Sequence, residues 1–276
     1  MAGVAGTSRS TSALRPSTGL LILKELLDHY LDGFDIDQAL SPKTRHDYRV
    51  YAETYLRPWL GERKVRDITP EVVLTWQRKL LKEGGTKAGK PLAPNTIRLA
   101  RSPLSGAFKL AVATGIVAVN PLINVPRPKA RRSVARHWTP DQTREFLALM
   151  EGDRTYPIWA FLLGSGLRIG ELVALRWANV DLTARLVRVV DFATYLGHDV
   201  VASVGKSQRR GAHGRPRPGH GPRAETASKL EAAERLAAPA YQDSDVVFTK
   251  PAGGPYHPQY LSRLLGRYSA EVGLPR

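Results

Sequence analysis

The chain has 276 residues, 41 Lys and Arg against 25 Asp and Glu, no cysteine, 42% hydrophobic residues and a formal net charge of +16. That length suits one large or two modest domains with real apolar cores, and zero cysteine excludes a disulfide scaffold, thiolate metal sites and thiol nucleophiles. No run approaches the ~18 uncharged apolar residues of a membrane span, and the N-terminus lacks a signal-peptide core, so the sequence predicts a cytoplasmic protein with no membrane partner.

The charge is uneven. Residues 1–137 hold 23 basic and 11 acidic side chains, a net of +12, while residues 138–276 hold 18 and 14, a net of +4. A basic front half points to a polyanion, most commonly nucleic acid. The competing reading is a generally basic protein, and the split of 29 Arg to 12 Lys fits both.

Residues 1–18, rich in Ala, Gly, Ser and Thr, read as a disordered arm. From 20 to 31, Leu20, Leu23, Leu26, Leu27, Tyr30 and Leu31 follow helical spacing. Ser41-Pro42 starts a second helix that Leu60-Gly61 stops, and Thr69-Pro70-Glu71 starts a third that reaches about Leu81. Pro94-Asn95-Thr96 opens a long helix to Thr114, closed by Gly115. Residues 19–119 are therefore predicted as an all-helical bundle. Tyr48, Tyr51, Tyr55, Trp59 and Trp76 are expected in its core.

Residues 120–136, punctuated by Pro126 and Pro128 among basic residues, read as a linker and domain boundary. Beyond it, helices are predicted from Thr139-Pro140-Asp141 to Met150, over 156–165 and from Arg168 to Leu175. Alternating runs at 185–190 and about 198–204 predict a hairpin, 245–249 one more strand, and 258–272 a final helix. The second half, 137–276, is mixed α+β.

The most specific segment is 161–182: Phe-Leu-Leu-Gly-Ser-Gly-Leu-Arg-Ile-Gly-Glu-Leu-Val-Ala-Leu-Arg-Trp-Ala-Asn-Val-Asp-Leu. A small-residue turn delivers Arg168, followed by Gly170-Glu171-Leu172, Leu175-Arg176-Trp177 and Val180-Asp181-Leu182. This run resembles the first sequence box of the tyrosine site-specific recombinases, the phage-integrase family. The Asn120-Pro121 junction, the Thr-Pro-Asp helix start, Ser41-Pro42-Lys43-Thr44 and Leu92-Ala93-Pro94-Asn95-Thr96-Ile97 match as well, so the resemblance covers roughly residues 20–276.

The resemblance implies an all-α N-terminal core-binding bundle (SAM-like) followed by a mixed α+β tyrosine-recombinase catalytic domain, incomplete at its C-terminus. In the family the two domains form a C-shaped clamp around duplex DNA and act as a tetramer on a recombination site. An arginine at a helix start presents a permanently charged fork suited to phosphate oxygens, and Arg168 is the expected catalytic residue. Alternatively, Arg168 and Glu171 form only a structural salt bridge. By resemblance Glu171 supports the arginine and Lys206 protonates the departing 5′ oxygen of DNA; a phosphate-anchoring or merely solvated lysine is the other reading of Lys206.

Lys43, Thr44, Arg45, Arg98 and Arg101, in the first turns of two helices, are expected to contact DNA, as are Arg131 and Arg132 of the linker; the alternative is a solvated helix face. The histidines are scattered without metal-ligand spacing, so neither a metal nor another cofactor is expected. The family's His-x-Leu-Arg-His box and nucleophilic tyrosine are not found: Tyr241, Tyr256, Tyr260 and Tyr268 precede the place where that box would begin. The sequence thus predicts DNA binding without cleavage, either by a truncated recombinase or by a stand-alone regulator that occupies recombination sites. Residues 207–224 lack strand periodicity and read as a basic DNA-binding loop or as the product of a compensated frameshift.

Overall fold

The structure is a computed structural model that describes residues 20–35, 40–84, 90–129, 137–184, 186–196, 199–204, 213–214 and 242–275. It divides into two units, Met1–Arg132 and Ser133–Arg276. No helix among the described residues is long and apolar enough to cross a membrane.

In the first unit, α1 (Leu23–Asp32) buries Leu23, Leu26, Leu27 and Leu31, one face of a helix. α2 (Pro42–Tyr51) is capped by Ser41, whose Oγ accepts from the Thr44 N–H at 3.3 Å, with Pro42 in the first turn. The sequence predicts one helix from there to Leu60. Instead the chain widens over Ala52–Leu56, where the Arg57 N–H reaches back five residues to the Ala52 carbonyl, before α3 (Arg57–Leu60). Pro58 has no N–H and its ring crowds the turn before it, and a wider turn relieves both.

α4 (Pro70–Glu83) starts at the Thr69 cap, and α5 (Pro94–Ala113) crosses the unit with Pro103 in its interior. α5 continues past Pro103 because the carbonyl deprived of its donor belongs to Leu99, an exposed residue that water can reach. Leu56, Leu80, Ile97, Leu104 and Phe108 complete the core, with Tyr48, Tyr51, Tyr55 and Trp59 packed at its edge. Residues 120–126, read from the sequence as the start of the linker, pack into this core through Leu122 and Val125.

The second unit opens with α6 (Pro140–Leu149). Thr139 and Gln142 cap each other there: the Gln142 N–H donates to Thr139 Oγ1 at 3.2 Å and the Thr139 N–H to Gln142 Oε1 at 2.9 Å. α7 (Tyr156–Ser165) and α8 (Ile169–Val173) follow. Strands β1 (Val180–Asp181), β2 (Leu186–Arg188), β3 (Asp191–Leu196), β4 (Asp199–Val204) and β5 (His213–Gly214) precede α9 (Pro258–Glu271). Phe146, Trp159, Phe161, Leu172, Phe248 and Leu261 form the core.

The strand pairing differs from the sequence expectation. β4 pairs antiparallel with β3, from Leu196↔Asp199 to Asp191↔Val204, and of the alternating run at 185–190 the strand Leu186–Arg188 lies in another sheet of order β1-β2-β5. The six residues of β3 and β4 match in length with only two residues between them, which favours the local pairing. Within 207–224, where no strand is expected, His213 and Gly214 pair with Arg188 and Val187. Residues 245–249 make isolated bridges, Arg176↔Val246 and Thr249↔Pro255, rather than a strand. The fold is a helical unit followed by a mixed unit with small antiparallel sheets, the all-α then α+β order that the sequence predicts.

Candidate functional site

Arg168 stands at a sharp bend. α7 ends at Gly166, whose φ of +71° is a left-handed conformation that glycine adopts without strain. Two residues later Arg168 is extended and caps α8. Glu171, one turn on, holds the arginine at both ends: Oε2 accepts the Arg168 backbone N–H at 2.9 Å and Oε1 accepts Nη1 at 2.8 Å. The Glu171 side chain is 19% exposed and that of Arg168 is 86% exposed. The salt bridge and an outward-facing guanidinium therefore coexist. The carboxylate restrains the arginine without covering it.

The bend rests on the β3–β4 hairpin. A Cβ on Gly170 would meet the Ala193 carbonyl oxygen at 2.7 Å, so only glycine permits this approach of α8 to β3. Ala193 pairs with Ala202 and Asp191 with Val204. β4 thus ends about 7 Å along the strand from the Gly170 contact. Lys206 lies outside the described residues, two positions beyond that end, as do Arg131 and Arg132 of the linker.

The candidate DNA contacts of the first unit fall into two kinds. Lys43 pairs with Asp47, Thr44 Oγ1 shares a 2.8 Å hydrogen bond with Ser41 Oγ, and Arg45 Nη1 donates to the Phe34 carbonyl at 3.1 Å. All three are partly exposed, and Arg98 is exposed on α5.

Arg101 is a correction. It is only 6% exposed, and its guanidinium donates to Gln77 Oε1 at 2.5 Å and to the carbonyls of Leu122, Val125 and Pro126 at 3.2, 3.0 and 3.4 Å. Its position one turn from Arg98 suggests a surface residue. The fold turns it inward because residues 122–126 cross over α5 and present carbonyls that need donors.

Sequence reasoning missed Lys109 and Arg127. With Arg98, Arg101, Tyr30, Tyr48, Ser102 and Ser105 they line a cleft of about 630 Å³. Part of the signal was legible, since Arg98, Ser102, Ser105 and Lys109 recur at helical spacing along one face of α5.

In the second unit, Tyr256 is buried and accepts a hydrogen bond from Arg154, whose Nη2 also donates to the Thr249 carbonyl at 2.8 Å. Tyr268 donates to Asp153 Oδ2 at 3.1 Å. Burial acts to raise the Asp153 pKa, but hydrogen bonds from Thr155 and Tyr268 and the charge of Arg267 outweigh it and hold the carboxyl below its ordinary value. Burial, together with Asp153, raises that of Tyr268. Among the described residues no group of three or more His, Asp or Glu could hold a metal ion.

Residues 24–126 match the model of the phage integrase central domain. The shufflon-specific DNA recombinase of Escherichia coli is 28% identical over 171 residues, 60% of this chain and 43% of that protein. Tyrosine recombinase XerC of Vibrio vulnificus is 26% identical over 180 residues, 61% of this chain and 53% of its own length. The chain spans about half the length of these relatives. The fold matches a transposon Tn1549 integrase solved with transposon right end DNA at a TM-score of 0.72, with 19% identity over 90% of this chain and 78% of that one. It also matches a lambda integrase tetramer bound to a Holliday junction at 0.67, with 17% identity over 93% and 65%. The helical unit is thus similar to the integrase central domain, the sequence is similar to tyrosine recombinases over about 60% of its length, and the fold over nine-tenths of it is that of solved integrases.

Proposed function

We propose that the chain binds duplex DNA at a recombination site and contributes part of a tyrosine-recombinase centre, with Arg168 directed at the phosphate. The observation that carries this reading is the Arg168–Glu171 pair: a guanidinium restrained at its base by a largely buried carboxylate and yet 86% exposed. Such a group meets a phosphate oxygen with little further loss of conformational freedom, and the main task of a protein in phosphoryl transfer is to position and stabilise that charge.

In this reading Glu171 positions Arg168. In an intact recombinase a tyrosine hydroxyl gives up its proton and bonds phosphorus as a 3′-phosphotyrosine while the departing 5′ oxygen takes a proton, and Lys206 stands for that proton donor here. Lys43, Thr44, Arg45 and Arg98, with Arg131 and Arg132, meet the DNA backbone, and assembly on the site is tetrameric. These 276 residues contain ten tyrosines but no His-x-Leu-Arg-His run, so this polypeptide occupies its site without a covalent link.

A gel-shift titration with a recombination-site duplex, followed by incubation with a nicked suicide substrate, tests both parts. The expected result is a salt-sensitive complex with no detergent-resistant protein–DNA adduct. Failure to shift duplex at low salt overturns the binding reading, and an adduct overturns the non-cleaving one.

A further inference from the structure

We infer that the cleft between α1, α2, α5 and residues 122–127 is a seat for one phosphate of a nucleic-acid backbone, held by Tyr30, Ser102, Ser105, Lys109 and Arg127. The inference rests on the DNA-binding reading and extends it to a site distinct from the first turn of α2.

Three observations carry it. The cleft, about 630 Å³, is lined by Arg98, Arg101, Lys109 and Arg127, and among the described residues no carboxylate lines it. Arg101 forms its floor as a buried charge whose hydrogen-bond partners, Gln77 Oε1 and three backbone carbonyls, are all neutral. Burial and then the neighbouring charge of Arg127 both weaken its hold on its proton. A buried cation with no anionic partner among the described residues, facing a cleft walled by further cations, is the arrangement that an entering anion relieves.

The third observation is the donor set. Ser105 Oγ accepts from Asn120 Nδ2 at 3.3 Å and retains its own O–H to donate, and Ser102 stands one helical turn before it. Burial, with Tyr48 beside it, pushes the pKa of Tyr30 up to about 12, so its phenol stays protonated. Neutral O–H donors beside cations suit a phosphodiester, which has two charged oxygens to be hydrogen-bonded and sugars that need room on either side.

Fluorescence anisotropy of the full chain on a labelled duplex, over about 50 to 200 mM salt, tests the seat. Lys109→Gln and Arg127→Gln are each expected to reduce the slope of log K against log salt by about 1, the signature of one lost phosphate contact. Tyr30→Phe is expected to weaken binding about threefold with the slope unchanged, because it removes a neutral donor. Lys24→Gln, on the exposed side of α1, serves as the charge control. A second arm measures thermal stabilisation by inorganic pyrophosphate.

Slopes for Lys109→Gln and Arg127→Gln equal to that of Lys24→Gln, with wild-type binding intact, overturn the seat and leave the DNA reading standing. Pyrophosphate stabilisation abolished by Lys109→Gln while the DNA slopes do not move assigns the cleft to a free anion and overturns the backbone assignment. Absence of wild-type binding to duplex overturns the DNA reading itself, and the seat with it.

Discussion

Tyr30 and Gly106 share one space: a Cβ on Gly106 would lie 2.0 Å from the Tyr30 hydroxyl oxygen. The phenol of α1 thus lies against the bare backbone of α5, and the packing of these two helices depends on the missing methyl. Gly106→Ala gains helix propensity but must displace a half-buried ring. The expected outcome is a net loss of about 1–3 kcal/mol in urea unfolding, the usual cost of overpacking. Tyr30→Phe in the Gly106→Ala background should recover part of it by removing the nearest of the colliding atoms, with the ring edge still to shift.

Arg168 and Glu171 should separate binding from stability. Arg168→Gln removes a largely exposed side chain, so the melting temperature should hold while duplex affinity falls about tenfold, the scale of one charged hydrogen bond. Glu171→Ala removes the acceptor for the backbone N–H of Arg168, the cap residue of α8, and should cost about 0.5–2 kcal/mol in stability. Parallel melting and anisotropy measurements distinguish the two.

Asp153 makes stability acid-sensitive. Its carboxylate accepts from the Thr155 N–H at 2.7 Å, Thr155 Oγ1 at 2.6 Å and the Tyr268 hydroxyl. Because its folded pKa is depressed, its contribution is complete above the unfolded-state value and is lost as pH falls through the folded one. Asp153→Asn should lower stability at neutral pH by about 1–3 kcal/mol and flatten the loss below about pH 4. Denaturation midpoints across an acid series read both effects.

Arg101→Met keeps the bulk and removes the donors. The carbonyls of Leu122, Val125 and Pro126 then lose a buried partner, at an expected cost of about 2–4 kcal/mol. Trypsin should also cut sooner after Lys129, since the segment it follows is no longer tied to α5. Unfolding and time-course proteolysis check the two consequences.

Features decided within a few residues were legible in the sequence. Ser41, Thr69 and Thr139 each precede a proline and cap the helix that follows, because capping needs only the cap and the next turn. The Arg168–Glu171 contact spans three positions on one helix and is legible for the same reason. What the sequence concealed is long-range. The pairing of 185–190 was misplaced because its alternation fits either partner, and register is fixed by neighbours distant in the chain. Arg101 reads as a surface residue until residues 122–126 are seen to pass over it. The role of Lys109 needs Arg127 and Tyr30 in place before its surroundings mean anything.

β3 and β4 hydrogen-bond only to each other among the described strands, and a lone two-stranded ribbon is marginal in water. One external brace is α8, seated through the naked backbone of Gly170 on Ala193, and α9 packs on β3 as well. Fraying of the ribbon therefore slackens the loop that aims Arg168, and straightening that loop unseats the ribbon. The aim of the guanidinium and the persistence of the two strands are coupled through that contact, so a perturbation on either side is felt on the other.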